Sequence, residues 1–174
     1  WGGCKEYLGR VKEFGLVSNG PMGAVMKAFE VIGTAQVAKS ADQAQTMGFL
    51  GPNDRITMNR DRLLSDAKKT LIELSKDYSP PEPRTYSLPG PSGKAALELA
   101  VNDLALSGKV TPHDIVVTNA LAEILTGGDT DITDILEEDD ILAMEKIAIT
   151  MLAKNTDTLD RMQHMLETGK PLRN

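Results

Sequence analysis

A proline-rich segment near the middle of the chain most limits how these 174 residues can fold. The stretch YSPPEPRTYSLPGPSG, residues 78–93, contains five prolines and two glycines. Proline lacks a backbone N–H and disfavours helix at the residue before it, so this stretch is not expected to be helical. Proline-rich segments act as semi-rigid spacers. We therefore predict a linker at 78–93 between two helical units, residues 1–77 and 94–174.

Apolar residues recur at helical spacing on both sides of this linker, and helix-end signals bound most of the runs. The predicted helices cover residues 3–14, 22–35, 41–47, 59 or 61 to 77, 93–107, 112–126, 138–153 and 157–168. Ser40, Ser92, Thr111 and Thr156 are the predicted caps, and Asn19-Gly20 is a predicted turn before Pro21. No alternating strand pattern is visible. The sequence predicts an all-α fold of about seven helices in two units.

Composition excludes several classes of protein. The net charge of −6 argues against nucleic acid, because such binding needs a basic surface. One cysteine excludes an internal disulfide, and 4% aromatic residues predict an aliphatic core. Neither a signal peptide nor an apolar run near the roughly 20 residues of a membrane span is present. We expect a cytoplasmic protein.

Three side chains carry reactive groups without a recognisable partner. Cys4 precedes Lys5, which can lower a thiol pKa, but no histidine is near it in sequence, so a structural cysteine is favoured over a nucleophile. His113 is expected to be an exposed first-turn residue, and His164 lies on the last amphipathic helix. Two isolated histidines do not form a zinc site. We predict no catalytic residue and no metal site.

The acidic stretch GDTDITDILEEDD, residues 128–140, resembles a calcium loop only at its start. Asp129, Asp131 and Thr133 occupy alternating ligand positions. The sixth position is then Asp134 instead of glycine, and the twelfth is Asp140 instead of glutamate. A solvated loop followed by an acidic helix N-terminus is therefore the favoured interpretation.

Two features could meet an anion. Gly2-Gly3 stands just before a predicted helix, where backbone N–H groups can bind anions or oxyanions. Arg84, Lys170 and Arg173 are the candidate residues for contact with coenzyme A phosphates. Most such basic residues are simply solvated.

The chain resembles a known enzyme family over almost its whole length. The segments that carry the resemblance are GGCKEYLGR (2–10), a run from AFEVIG to DAKK (28–69) and RMQHMLETGKPLRN (161–174). They resemble the C-terminal end of bacterial multifunctional 3-hydroxyacyl-CoA dehydrogenase/enoyl-CoA hydratase proteins of fatty-acid β-oxidation. The most specific parts are residues 48–68 and 164–174. Trp1 stands where the family pattern has glycine.

The resemblance implies that different parts of a longer chain carry different functions. Residues 1–77 would be the last helices of a crotonase-like part, and 94–174 a C-terminal helical extension. The resemblance also implies that the oxyanion-hole and acidic residues of the hydratase, and the NAD-binding motif and His–Glu pair of the dehydrogenase, lie before Gly2. The fragment would then hold no cofactor, whereas its parent would use NAD and acyl-CoA.

Two other functions remain open, a free-standing helical adaptor for another protein and a carrier of acyl ligands. The chain begins without Met, and we expect a piece cut from a larger enzyme, whose partners are the upstream parts of its own chain. Such a piece should expose an apolar patch through which it could form homo-oligomers. The expected patch comprises Val11, Phe14, Val25, Phe29 and Ile32.

Overall fold

A computed structural model describes residues 2–17 and 20–174, which contain eight α-helices and one two-stranded antiparallel sheet. The elements are α1 (Gly3–Glu13), α2 (Pro21–Gly33), α3 (Ala41–Thr46), α4 (Leu63–Leu74), β1 (Thr85–Tyr86), α5 (Gly90–Leu106), α6 (Pro112–Thr126), β2 (Leu136–Glu137), α7 (Glu138–Leu152) and α8 (Thr156–Thr168). The predicted all-α class is confirmed. Trp1 and the Asn19 half of the predicted turn lie outside the described residues. Within the described part, every helix is too short or too polar to cross a bilayer.

The chain forms two compact units. The larger joins the described residues up to Val37 to Arg84–Asn174, and the smaller is Ala38–Pro83. These units differ from the predicted ranges 1–77 and 94–174, because α1 and α2 pack with helices from the second half of the chain. The assignment of the predicted ranges to parts of a longer enzyme stays a prediction.

The larger unit has an aliphatic core, as its low aromatic content predicted. Helix α6 packs against α2, α5 and α7, and α1 packs against α2. The most deeply buried apolar side chains from four helices are Leu8, Val11, Val25, Val31, Ile124, Leu125 and Ile141. Burial of each such side chain stabilises the fold by roughly 1.5–3 kcal/mol relative to its exposure.

The local helix signals are largely confirmed. The Thr111 hydroxyl accepts from Asp114 N at 3.2 Å, and Asp114 Oδ2 accepts from Thr111 N at 2.9 Å, which completes a capping box before α6. Gly127 follows α6 with φ 86°, a conformation that glycine adopts without strain. Ser40 caps α3 through Gln43 N. The predicted cap at Thr156 is wrong, because Asn155 Oδ1 accepts the first free N–H groups of α8.

The predicted linker is partly wrong. Helix α5 begins at Gly90, because Pro91 is tolerated in the first helical turn where its missing N–H has no partner to lose. Ser92 is therefore not a cap, and its hydroxyl donates to Pro89 O at 2.9 Å. Residues 85–86 form β1 and pair with β2 in the register Thr85↔Glu137 and Tyr86↔Leu136. A strand of two residues is too short to show alternation.

The expected apolar patch on the first two helices is not found as predicted. Val11 and Val25 are fully buried, and Phe14, Phe29 and Ile32 are half-buried. The reason is that α6 and α7 supply the apolar partners of α1 and α2 from more than 70 residues away in sequence.

The smaller unit, in contrast to the larger one, has no apolar core. It contains α3 and α4, with single 3₁₀ turns at Arg60–Arg62 and Ser75–Asp77. Among its residues only Gly48 and Gly51 are buried, so it has no buried hydrophobic side chain. Helix α4 carries apolar residues at helical spacing, but all of them are exposed in the structure. They are Leu63, Leu64, Ala67, Leu71 and Leu74.

Candidate functional site

The first turn of α1 is held by carboxylates from α7. Glu145 is 1% exposed, and its two carboxylate oxygens accept hydrogen bonds from Gly2 N and from Lys5 N, the latter at 2.8 Å. Two turns earlier on α7, Glu138 Oε2 lies 2.9 Å from Lys5 Nζ. The predicted anion-binding N-terminus at Gly2-Gly3 is therefore filled by a carboxylate of the same chain. We call Gly2, Lys5, Glu138 and Glu145 the α1–α7 clamp.

The geometry of the clamp depends on glycine and tyrosine as well as on charge. Gly2 has φ 104°, which a residue with a Cβ rarely adopts. The Tyr86 hydroxyl, reaching from β1, donates to Lys5 O at 3.3 Å. The hydrogen bond between Lys5 and Glu138 raises the pKa of the lysine and lowers the pKa of the carboxyl group, so both are charged at neutral pH.

Cys4 lies beside the clamp and is not activated. The thiol is buried, and burial raises its pKa to about 12, with the nearby Glu145 carboxylate acting in the same direction. The thiolate is the nucleophilic form of cysteine, and it is scarce at neutral pH in this environment. The adjacent Lys5 does not lower the thiol pKa as its sequence position suggested, because its ammonium group pairs with Glu138.

Arg84, a candidate for phosphate contact, is engaged within the chain. Its Nη1 lies 2.9 Å from Glu6 Oε2, and its Nη2 lies 2.7 Å from Glu13 Oε2. Both carboxylates lie on α1, so Arg84 fixes the residues just before β1 against that helix. A phosphate would have to displace two carboxylates to reach this guanidinium group in a bidentate manner.

A second polar cluster joins α6, α8 and the C-terminal tail. Arg161 Nη1 lies 2.9 Å from Asp114 Oδ1, and Arg161 Nη2 donates to Thr111 Oγ1 at 3.1 Å. Arg161 Nε donates to Asn174 Oδ1 at 2.6 Å, and Asn174 Nδ2 donates back to Asp157 O at 3.1 Å. We call Thr111, Asp114, Arg161 and Asn174 the tail clamp. It returns the end of the chain to the start of α8.

The two histidines do not meet. His113 is 2% exposed, so the prediction of an exposed residue is wrong. Its Nε2 is 2.9 Å from Thr158 Oγ1, and its Nδ1 lies 3.9 Å from Asp157 Oδ2. Helix α8 covers this side chain, which the first-turn position alone could not indicate. His164 is half-buried on α8.

Lys170 and Arg173 both lie in the tail after α8. Arg173 Nη2 donates to Lys109 O at 2.8 Å and lies 3.9 Å from Asp114 Oδ2. Lys170 is exposed, and no ionic partner is found for it among residues 2–17 and 20–174. Within the described residues, neither of them forms a hydrogen bond or ion pair with Arg84, so the structure does not bring the three candidates together in one site.

A cationic surface is found on α4. A shallow depression is lined by Ser65, Lys68, Lys69, Ile72, Glu73 and Lys76. These positions share one side of a helix at spacings of three and four residues. Arg55 pairs with Glu73 at 2.8 Å, which leaves the three lysines as the net charge of this surface.

The acidic stretch 128–140 uses its carboxylates locally. Asp134 Oδ2 accepts from Asp131 N at 2.9 Å, and Asp131 Oδ1 accepts from Thr133 N at 2.9 Å. Asp140 Oδ2 accepts from Glu137 N at 2.8 Å, in the capping box that begins α7. The predicted acidic helix N-terminus is therefore confirmed. No cluster of three or more metal-ligating side chains is found in the described part of the chain.

The polar groups of the larger unit thus chiefly bind one another. Glu145 and Arg161 were not singled out from sequence, because their partners lie far away along the chain. An acidic residue inside the apolar stripe of 138–153 is the one local signal that could have marked Glu145, since a charge there needs a buried partner.

The chain is similar over its length to a longer bacterial protein. It is 37% identical, over 175 aligned residues, to a protein of Bacillus subtilis strain 168 that is named a probable 3-hydroxyacyl-CoA dehydrogenase. The alignment covers 99% of this chain and 22% of that protein. The predicted resemblance to 3-hydroxyacyl-CoA dehydrogenases is confirmed at this level. No family model and no solved structure matches the chain.

Proposed function

We propose that this chain is the C-terminal helical part of a longer, cytoplasmic, NAD-dependent 3-hydroxyacyl-CoA dehydrogenase of fatty-acid β-oxidation. That protein would also carry an enoyl-CoA hydratase-like, crotonase-like part. Within it, the chain packs against the acyl-CoA-binding part and closes it, and supplies no catalytic residue. The match to about a fifth of a longer relative supports the dehydrogenase assignment.

One observation carries the structural role. The unit Ala38–Pro83 has no buried hydrophobic side chain. Leu64 and Leu71, on one face of α4, are 83% and 67% exposed. A contiguous apolar surface is unfavourable in water and is typical of an interface. A unit of this size also needs buried apolar area to be stable. We infer that other residues of the longer protein cover the leucine face of α4.

The internal pairing of the candidate reactive groups supports the absence of catalysis in this part. The Cys4 thiol is protonated, and the N-terminus of α1 is occupied by Glu145. Enoyl-CoA hydration needs oriented donors for the enolate oxygen and carboxylates free to transfer protons. Contact with coenzyme A phosphates is left to exposed cations, Lys170 and the lysines of α4.

The proposal is tested first on the purified 174-residue chain. We expect it to catalyse neither NAD-dependent oxidation of a 3-hydroxyacyl-CoA nor hydration of an enoyl-CoA, whereas the longer protein catalyses both. Turnover of either substrate by the 174-residue chain alone would refute the assignment of the chemistry to other parts of the protein.

The packing role is tested with Leu71→Glu in the longer protein. Because Leu71 is exposed in this chain, the substitution should leave the unfolding midpoint of the isolated chain unchanged but lower that of the longer protein and weaken its assembly. Ser65→Glu places the same charge on the polar side of α4 and is the matched control. Equal behaviour of the two variants in the longer protein would exclude the leucine face as the interface.

The adaptor and acyl-carrier alternatives predict different results in the same experiments. An adaptor would bind an unrelated protein through the same leucine face. A carrier would bind an acyl chain as the isolated 174-residue chain, without the rest of the longer protein. Calorimetry of the 174-residue chain with a fatty acyl-CoA separates the carrier from the other two, because only the carrier gains affinity with acyl length.

A further inference from the structure

One side of α7 is exposed along the helix, whereas its other side supplies buried residues of the core. Residues three and four apart lie on the same side of a helix. Ile147 and Met151 are 70% and 55% exposed, and Ala143 is exposed as well. An acidic residue precedes these three at helical spacing, and a basic residue follows them. We call the resulting row the α7 face, and its members, in chain order, are Asp140, Ala143, Ile147, Met151 and Lys154.

The α7 face has the same spacing on both sides of Ile147. Ala143 and Met151 are each four residues from it, and Asp140 and Lys154 are each seven. When two copies of α7 lie antiparallel with their Ile147 side chains opposite each other, each Asp140 therefore meets Lys154 of the second copy. Each Ala143 meets a Met151, and a small residue opposite a long, adaptable one packs without a gap. A parallel pair would instead place each charge opposite a like charge, which is unfavourable.

Both charges of the α7 face are available to a second copy. Lys154 is exposed, and no ion pair is found for it among the residues that the structure describes. Ala153 has helical backbone angles, φ −66° and ψ −13°, so Lys154 continues the row beyond the last residue of α7. Asp140 is exposed, and its Oδ2 accepts from Glu137 N at 2.8 Å. A carboxylate has two acceptor oxygens, so Oδ1 of Asp140 can still accept from a lysine ammonium group.

We propose that a second copy of this chain docks on the α7 face, as an antiparallel helix pair with Ile147 on the two-fold axis. Two-fold dimers are the commonest oligomers, and their interface must be complementary to itself. A different partner would not require the row to be mirrored about Ile147. The inference is independent of the proposed function, because all five residues lie in the described part of the chain.

The dimer should be weak. Helix α7 has 15 residues and is therefore about 22 Å long. A contact of this length buries less than the roughly 1,200–2,000 Å² of a stable interface, and we expect a dissociation constant of about 10–100 μM. The two exposed ion pairs between Asp140 and Lys154 fix the orientation of the helices more than they add affinity.

The first experiment measures the self-association of the 174-residue chain by sedimentation equilibrium, at concentrations that span about 10–100 μM. Ile147→Glu places two carboxylates opposite each other on the two-fold axis and should raise the dissociation constant at least about 100-fold. The matched control is Leu99→Glu, which makes the same kind of change at a 64% exposed position on α5 and should leave the dissociation constant unchanged.

The second experiment tests the charge pairing. Lys154→Glu turns both ion pairs into repulsive pairs and should raise the dissociation constant about tenfold. Addition of Asp140→Asn to that variant should restore part of the affinity, because the repulsion is removed while the asparagine oxygen can still accept from Glu137 N. Lys109→Glu, at an exposed position between α5 and α6, carries the same change of net charge and should have no effect.

The third experiment tests the orientation of the pair. A residue on the two-fold axis lies opposite its own copy, so Ile147→Cys should give a disulfide-linked dimer under mild oxidation, whereas Leu99→Cys should remain monomeric. The native Cys4 is buried and should not compete. This measurement also tests the inference if Ile147→Glu does not fold.

Three results would overturn the inference. One is a wild-type chain that remains monomeric throughout the concentration range. The second is self-association that Leu71→Glu abolishes and Ile147→Glu retains, which would assign the contact to the leucine face of α4. The third is an equal yield of disulfide-linked dimer from Ile147→Cys and Leu99→Cys. Equal dissociation constants for Lys154→Glu and Lys109→Glu would exclude the pairing of Asp140 with Lys154, and with it the antiparallel arrangement.

Discussion

Arg161 Nη1 lies 2.9 Å from Asp114 Oδ1, so the last helix of the chain is joined by an ion pair to the first turn of α6. Helix α8 has no buried residue. Its attachment therefore depends on polar contacts more than on apolar burial. The Arg161 guanidinium group contacts Asp114 and Thr111 at the start of α6, and Thr158 contacts His113.

Removal of this guanidinium group should release α8. We expect Arg161→Ala to lower the free energy of unfolding by about 2 kcal/mol, because Asp114 loses a charged hydrogen-bond donor at a partly buried position. Limited proteolysis should then cut between α7 and α8 faster than in the wild type. The control is Arg62→Ala, which breaks an exposed 3.5 Å pair with Asp66 and should cost less than about 1 kcal/mol. Equal stability of the two variants would contradict this account of α8.

The same cluster makes stability depend on acid. Burial opposes the ionisation of Asp114, but hydrogen bonds from the backbone and side chain of Thr111, together with Arg161, lower its pKa. A carboxyl group with a lowered folded-state pKa stabilises the fold above its ordinary pKa near 4, and this contribution is lost as the pH falls through the lowered value.

We therefore expect the stability gap between wild type and Asp114→Asn to be largest at neutral pH and to shrink below about pH 4. Denaturant unfolding of both proteins at a series of pH values measures the gap directly. A gap that stays constant from pH 7 to pH 3 would mean that the charge of Asp114 contributes nothing to stability.

Gly90, at the start of α5, cannot carry a side chain. It has φ 59°, and a Cβ there would lie 1.9 Å from Thr130 O, a backbone atom that cannot move alone. We expect Gly90→Ala to destabilise the chain by at least about 3 kcal/mol, since steric overlap adds to backbone strain.

Gly108→Ala separates these two effects. Gly108 has φ 68°, and nothing lies within 4 Å of its missing Cβ, so this variant should cost only the strain, about 1–2 kcal/mol. Thermal unfolding compares the two. If Gly90→Ala lowered the unfolding midpoint no more than Gly108→Ala, Thr130 would not lie as close to the start of α5 as the structure places it.

Cys4 should be inert while the chain is folded. Its pKa of about 12 leaves little thiolate at pH 8, and burial limits the access of reagents. A thiol reagent such as iodoacetamide should label the folded chain far more slowly than the urea-unfolded chain. With one cysteine in the sequence, the labelled fraction reports this site alone. Rapid labelling under native conditions would restore the nucleophile interpretation.

The sequence predicted the positions of the helices well, because the signals that begin and end a helix are local. Thr111 with Pro112 and Gly127 after α6 act through backbone groups within four residues of themselves. The one misplaced boundary of consequence, at Gly90, arose because a proline in the first turn of a helix resembles a proline in a linker.

The sequence did not predict which helix faces are buried. Val25 on α2 and Leu71 on α4 both belong to apolar stripes at helical spacing, yet the first is fully buried and the second is exposed. Periodicity identifies a face that prefers an apolar partner, but it does not say whether another part of the same chain supplies one.

The sequence by itself thus determined the all-α class, most helix ends and the resemblance to 3-hydroxyacyl-CoA dehydrogenases. Only the tertiary structure decided that Glu145 fills the N-terminus of α1, that Arg84 binds two carboxylates and that His113 is covered by α8. The physical reason is the separation along the sequence between the groups that interact. A cap is complete within one turn of helix, whereas a buried polar side chain takes whichever partner the fold brings near it, here from 45 to 143 residues away.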